Sequence, residues 1–133
     1  MLKPLLALMI LAGSLSMAVS ADDAPPAPTR TIWERHDQSG VPDKEIVIGE
    51  AVLPAGTSIG YHTHPGDESG YVAKGSLILK TRGQPDQTLH AGDHFFNVRG
   101  AVHSLVAPAG GEGGTAVSTW IVDKGVPMLT PVP

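Results

Sequence analysis

The sequence contains no cysteine. That excludes disulfides, thiolate metal ligands and cysteine nucleophiles together, so any metal must be held by histidine and carboxylate. Aromatic residues are scarce as well, with two each of Trp, Tyr and Phe. Basic runs are also missing. Lys and Arg number 9 against 13 Asp and Glu, for a formal net charge of −4. This balance offers no electrostatic footprint for nucleic acid or an anionic membrane.

Long apolar segments are absent apart from Leu5 to Leu11, which is too short to span a bilayer in the usual way. Lys3 precedes this run, and the small residues Val19, Ser20 and Ala21 follow it. The pattern predicts a signal peptide over residues 1–21, cleaved after Ala21 or alternatively after Ala18, and a periplasmic or secreted mature protein with no membrane partner after cleavage. Loss of Lys3 takes the net charge from −4 to −5. Residues 22–30 are polar and rich in proline and read as a flexible leader. What remains, 31–133, is enough for one domain with one core. A small exported domain without disulfides needs a metal or an unusually good core.

No long helical pattern follows the apolar run. Short β-branched and aromatic runs alternate instead with Gly, Pro and Asp. Strands are predicted over Thr31–His36, Glu45–Leu53, Ser58–His64, Ser69–Lys74, Ser76–Thr81, Gln87–Ala91, His94–Val98, Ala101–Ala107 and Thr115–Asp123. This rhythm argues for an all-β antiparallel sandwich or closed barrel. The serine within Gly66–Gly70 does not stand at Gly-x-Ser-x-Gly spacing, and no phosphate-binding glycine loop precedes a helix.

The densest chemistry lies between Gly56 and Gly75. His62 and His64 are two apart, so on a strand both side chains leave the same face. Pro65 and Gly66 then turn the chain, and Glu68 can return toward the imidazoles. Imidazole and carboxylate suit divalent first-row metals. Alone, this trio also fits a polar surface strand. A second block further along the chain adds His103 after a Gly-Asp turn, a short strand and an Arg-Gly turn.

Together the blocks resemble the paired motifs of the cupin superfamily. Gly56, His62, His64, Glu68 and Gly75 stand at every required position of the first motif. Gly92, Gly100 and His103 match the second, where Val98 replaces the usual Pro and Ala107 the usual Asn. The resemblance covers about 45–123. It implies a small antiparallel double-stranded β-helix, or jelly-roll barrel, holding one divalent metal through His62, His64, Glu68 and His103. Iron or manganese is favoured by family, while zinc, nickel or copper binds such ligands more tightly by intrinsic order. The implied activity is dioxygenase, isomerase or lyase chemistry on a small oxygen-bearing molecule, with no catalytic residue nameable beyond the ligands. The alternative is a non-enzymatic module in which the metal stabilises the barrel or captures a small ligand. A homodimer is also implied, since small cupins often pair.

Other histidines have plainer readings. His36 and His90 are expected on strand surfaces, and His94 at a packing or rim position. Asp67 should face away from Glu68 or cap the turn, and Asp93 should bond its own turn backbone. Phe95, Phe96, Trp120 and Tyr71 are expected in the core or a dimer interface, with one or two lining the metal pocket. The proline-broken tail, Lys124 to Pro133, is expected to lie across the barrel or a partner without forming a strand.

Overall fold

The structure, a computed structural model, describes residues 24–133. The segment read as a signal peptide lies outside the described residues. Nine strands make up the fold: β1 (Thr29–Asp37), β2 (Lys44–Leu53), β3 (Ser58–Thr63), β4 (Gly66–Thr81), β5 (Gln87–His90), β6 (His94–Asn97), β7 (His103–Val106), β8 (Gly114–Asp123) and β9 (Thr130–Pro131). Every pairing is antiparallel. One sheet runs β1-β2-β8-β4-β6 and the other β5-β4-β7-β3-β9. This is the all-β double-stranded β-helix expected from the sequence.

The sheets share β4. Its first half lies between β8 and β6, and its second between β7 and β5. Separate strands were expected before and after Gly75, but the chain stays extended and bends. A register shift between Val72 and Lys74 and a φ of +69° at Gly75 produce the bend. A Cβ at Gly75 would lie 1.9 Å from the carbonyl oxygen of Gly113, so only glycine fits this corner.

Side-chain alternation divides inside from outside. On β8, Ala116, Ser118, Trp120 and Val122 are buried, while Ile121 is exposed on the opposite face. The main core gathers Leu53, Val72, Leu77, Leu79, Phe95 and Leu105 around smaller residues. A second cluster joins Val47, Trp120 and Val122, with Ile32 and Met128 packed against it. Each fully buried leucine contributes roughly 1.5–3 kcal/mol relative to exposure. Phe95 and Trp120 are thus core aromatics, whereas Tyr71 and Phe96 face outward.

Both ends of the domain differ from expectation. β1 begins at Thr29, so Thr29 and Arg30 of the leader stretch are paired to β2. The tail does form a short strand, because β3 has a free edge that β9 covers, with Thr130 opposite Thr63 and Pro131 opposite His62. Elsewhere the local readings hold. His36, His90 and His94 are exposed, Asp93 Oδ2 accepts the His90 amide at 2.8 Å, and Asp67 Oδ1 accepts the Arg99 amide at 2.8 Å. The turn after β6 closes without the usual proline, through the Ala101 amide on the Val98 carbonyl at 3.0 Å.

Candidate metal centre

Two cross-strand sets face each other inside the barrel. In one sheet His62 of β3 stands opposite His103 of β7. In the other, Glu68 of β4 stands between Asn97 of β6 and Trp120 of β8. His64 lies just beyond β3, where the chain crosses to β4. All six side chains are buried. The ring centroids of His62, His64 and His103 are 4.3 to 5.1 Å apart. Their candidate ligand atoms all lie within 4.8 Å of one another.

Each imidazole is held from behind. Nδ1–H donates to the Gly60 carbonyl from His62 at 2.7 Å, to the Met128 carbonyl from His64 at 2.6 Å, and to the Ala101 carbonyl from His103 at 3.0 Å. A carbonyl can only accept, so Nδ1 carries a proton in all three rings and Nε2 is the nitrogen turned to the interior. Glu68 Oε2 lies 3.1 Å from His103 Nε2 and 3.4 Å from His64 Nε2. The three histidines singled out from the sequence cluster, with Glu68 beside His64 and His103.

The electrostatics of the cluster call for a cation. Burial alone pushes the Glu68 carboxyl up, but hydrogen bonds and charge from His103 and His64 outweigh it and hold it well below the ordinary range. Asn97 Nδ2 adds a hydrogen bond to Oε2 at 2.9 Å. Burial drives His62 the other way, to about 4, with the neighbouring imidazoles adding to the effect and the Gly60 hydrogen bond opposing it. His62 is thus neutral near pH 7, its lone pair unprotonated. Three imidazole nitrogens within 4.8 Å of one another, with a carboxylate beside two of them, suit a divalent ion. The Trp120 indole N–H donates to His64 Nε2 at 3.3 Å, a long bond that such an ion would replace.

Beside this cluster is a cavity of about 30 Å³. His62, Glu68 and His103 form its polar wall, and Ile59, Leu79, Phe95 and Leu105 line it with apolar surface. Asn97, Ser118, Trp120 and Arg30 also line it. Sequence reasoning missed Asn97 and Arg30 in this setting. A signal for Asn97 existed, since it lies in phase with the inward Phe95 on a short strand.

The sequence model of the Cupin domain family matches residues 49–121, more than half of the chain. The chain belongs to that family. No curated protein matches this cupin. Among solved structures it resembles the DMSP lyase DddQ from Ruegeria pomeroyi, with TM-score 0.66 and 22% identity over 86% of this chain and 55% of that one. It also resembles a protein with a double-stranded β-helix domain from Klebsiella pneumoniae, with TM-score 0.61 and 21% identity over 89% and 98%. An oxalate oxidase in complex with the substrate analogue glycolate gives TM-score 0.61 and 18% identity over 91% and 68%. The cupin spans about half the length of the DMSP lyases it matches. At these identities the likeness is one of fold.

Proposed function

We propose that this cupin binds one divalent metal through His62, His64, Glu68 and His103 and acts on a small oxygen-bearing organic molecule in the adjoining cavity. The observation that carries the reading is the convergence of three buried, outward-bonded imidazoles on a buried carboxylate. Iron or manganese is the favoured ion; zinc, nickel and copper also suit the donors. When bound, such an ion supplies Lewis acidity toward a substrate oxygen. The chain's own residues orient the rings, keep Glu68 ionised and exclude bulk water. Lyase, isomerase and dioxygenase chemistry all remain within this description. That one fold neighbour is a lyase and another an oxidase supports an enzyme.

The test is metal content after native purification, followed by turnover with an added metal series. His62→Ala and His103→Ala should each abolish metal uptake, while His94→Ala, on an exposed position of β6, should not. No uptake and no thermal gain with Fe(II), Mn(II), Zn(II), Ni(II) or Cu(II) overturns the metal reading. Equal loss in all three variants overturns the ligand assignment.

One observation favours a second reading, a non-enzymatic binding module. Among the described residues lining the cavity, no Lys, Tyr, Asp or further His or Glu is available for proton transfer. Metal and ligand binding without turnover of any candidate substrate supports that reading.

Two further proposals accompany the metal centre. Export rests on the sequence of residues 1–21. Pairing of two copies is supported by Tyr71, Phe96 and Ile121, which are 48%, 58% and 41% exposed on the outer face of the β1-β2-β8-β4-β6 sheet.

A further inference from the structure

The cavity holds one cation of the chain's own. Arg30 is its only lysine or arginine lining residue. The other three arginines are engaged: Arg35 with Glu45, Arg82 with the Pro133 main-chain oxygen, and Arg99 with Asp123. Arg30 has no ion-pair partner among the described residues.

Its direction follows from register. Arg30 pairs with Ala51 on β2, Ala51 with Ala116 on β8, and Ala116 with Val72 on β4. Ala51, Ala116 and Val72 are all buried on the inner face, and cross-strand partners share a face. Arg30 therefore enters the barrel from its edge strand. The next inward row toward Glu68 holds Gly49, Ser118 and Gly70. Phe95, opposite Gly70, covers that glycine with its ring, so Arg30 and the histidine cluster meet through the cavity both line. Burial lowers the Arg30 pKa from its ordinary value, and the Glu68 charge opposes that shift. The residue is exposed overall, so its guanidinium stands at the mouth of the cavity, within electrostatic reach of the centre. A cation at a cavity mouth with no ion-pair partner can hold a bound anion through paired hydrogen bonds.

Asn97 makes an independent demand. Its Nδ2 donates to Glu68, which fixes the amide orientation, because the flipped form would set Oδ1 against the carboxylate. Oδ1 is then left buried with no hydrogen-bond partner. A buried orphan acceptor in a cavity wall is satisfied by a ligand donor or a water.

We propose that Arg30 anchors the carboxylate of a small acid held in the metal cavity, with Asn97 Oδ1 accepting a hydrogen bond from a hydroxyl of the same molecule. The ligand class is a hydroxycarboxylate of few heavy atoms, because the cavity has room for about two waters. Arginine suits this role, since its planar fork matches a carboxylate with two parallel hydrogen bonds. The proposal rests on the metal reading above.

The test uses the full mature chain loaded with Mn(II), with glycolate as the probe and glycolamide as its neutral analogue. Mn(II) affinity is measured first for wild type, Arg30→Gln and Arg30→Lys, and calorimetry then measures each small molecule. Equal Mn(II) affinity in all three is expected. Glycolate should bind wild type and weaken roughly 10- to 100-fold in Arg30→Gln, with partial recovery in Arg30→Lys. Glycolamide should respond little to either variant. No Mn(II) uptake by wild type overturns the metal reading and this proposal with it. Normal Mn(II) uptake with no glycolate binding, or with equal glycolate affinity in wild type and Arg30→Gln, overturns the carboxylate site alone.

Discussion

The His64 ring is fixed by Met128: Nδ1–H donates to the Met128 carbonyl at 2.6 Å, across 64 residues of sequence. The tail that supplies this carbonyl is itself tied down. The Val132 amide donates to the Tyr61 carbonyl at 2.9 Å, Arg82 donates to Pro133, and the Arg82 guanidinium lies 5.0 Å from the centre of the Tyr61 ring. A partner behind a metal-binding histidine is typically worth about 10- to 100-fold in affinity. Deleting residues 127–133 should therefore weaken metal binding by about that factor. Met128→Ala keeps the carbonyl and should leave affinity near wild type. Metal titrations with circular dichroism as a fold control check this. Equal affinity after the deletion would show that the tail does not orient His64.

Acid should destabilise the metal-free protein earlier than ordinary carboxylates require. The His62 pKa falls from 6.5 in the unfolded chain to about 4 in the fold. Between those values the unfolded chain holds the proton and the folded one does not, so stability is lost as pH falls through that window. The size is on the order of 3 kcal/mol. Glu68, whose folded pKa is also depressed, acts in the same direction at lower pH. Urea midpoints in chelator from pH 4 to 8 should rise with pH, with a shallower rise in His62→Gln. Midpoints as high at pH 5 as at pH 7 would contradict the His62 environment described above.

Two glycines of the first motif should respond differently to alanine. Gly56 has a φ of +79°, but a Cβ there meets nothing nearer than 3.8 Å. Gly56→Ala should cost about 1 kcal/mol, from backbone conformation alone. Gly75 combines a positive φ with a collision against the Gly113 main chain. Its substitution should cost about 3 kcal/mol or more. Chemical denaturation of both variants measures the order, and equal costs would argue against the β4 corner.

Phe96→Asp tests the proposed pairing of two copies. A charge placed amid Tyr71 and Ile121 on an apolar contact should convert a dimer to a monomer in light scattering, with little change in monomer stability. A monomeric wild type, or an unaffected dimer, removes this face from consideration.

The metal-binding candidates were readable because strand geometry ties spacing to facing: two residues along a strand return to the same side. Glu68 was readable as a residue of the next strand, although that strand is longer than expected and continues through Gly75. Arg30 was hidden by its surroundings. Pro25, Pro26 and Pro28 make the stretch resemble a loose leader, and its strand exists because β2 offers a register to pair with. The Asn97 and Trp120 contacts leave no local trace, since they bridge 29 and 56 residues. The tail strand was hidden by its prolines, and Pro131 is tolerated there because β9 is an edge.

The place of β8 has a consequence for how the chain acquires this shape. It inserts between β2 and β4, which are made much earlier. Neither neighbour can complete its ladder until Asp123 is available. High contact order of this kind makes folding slow, with closure of the sheet waiting on β8. Partial chains therefore carry unpaired strand edges, and a truncation within β8 should leave a species prone to aggregate. A chain that cannot close its sheet before β8 is made is also still unfolded at the moment when the proposed export would begin.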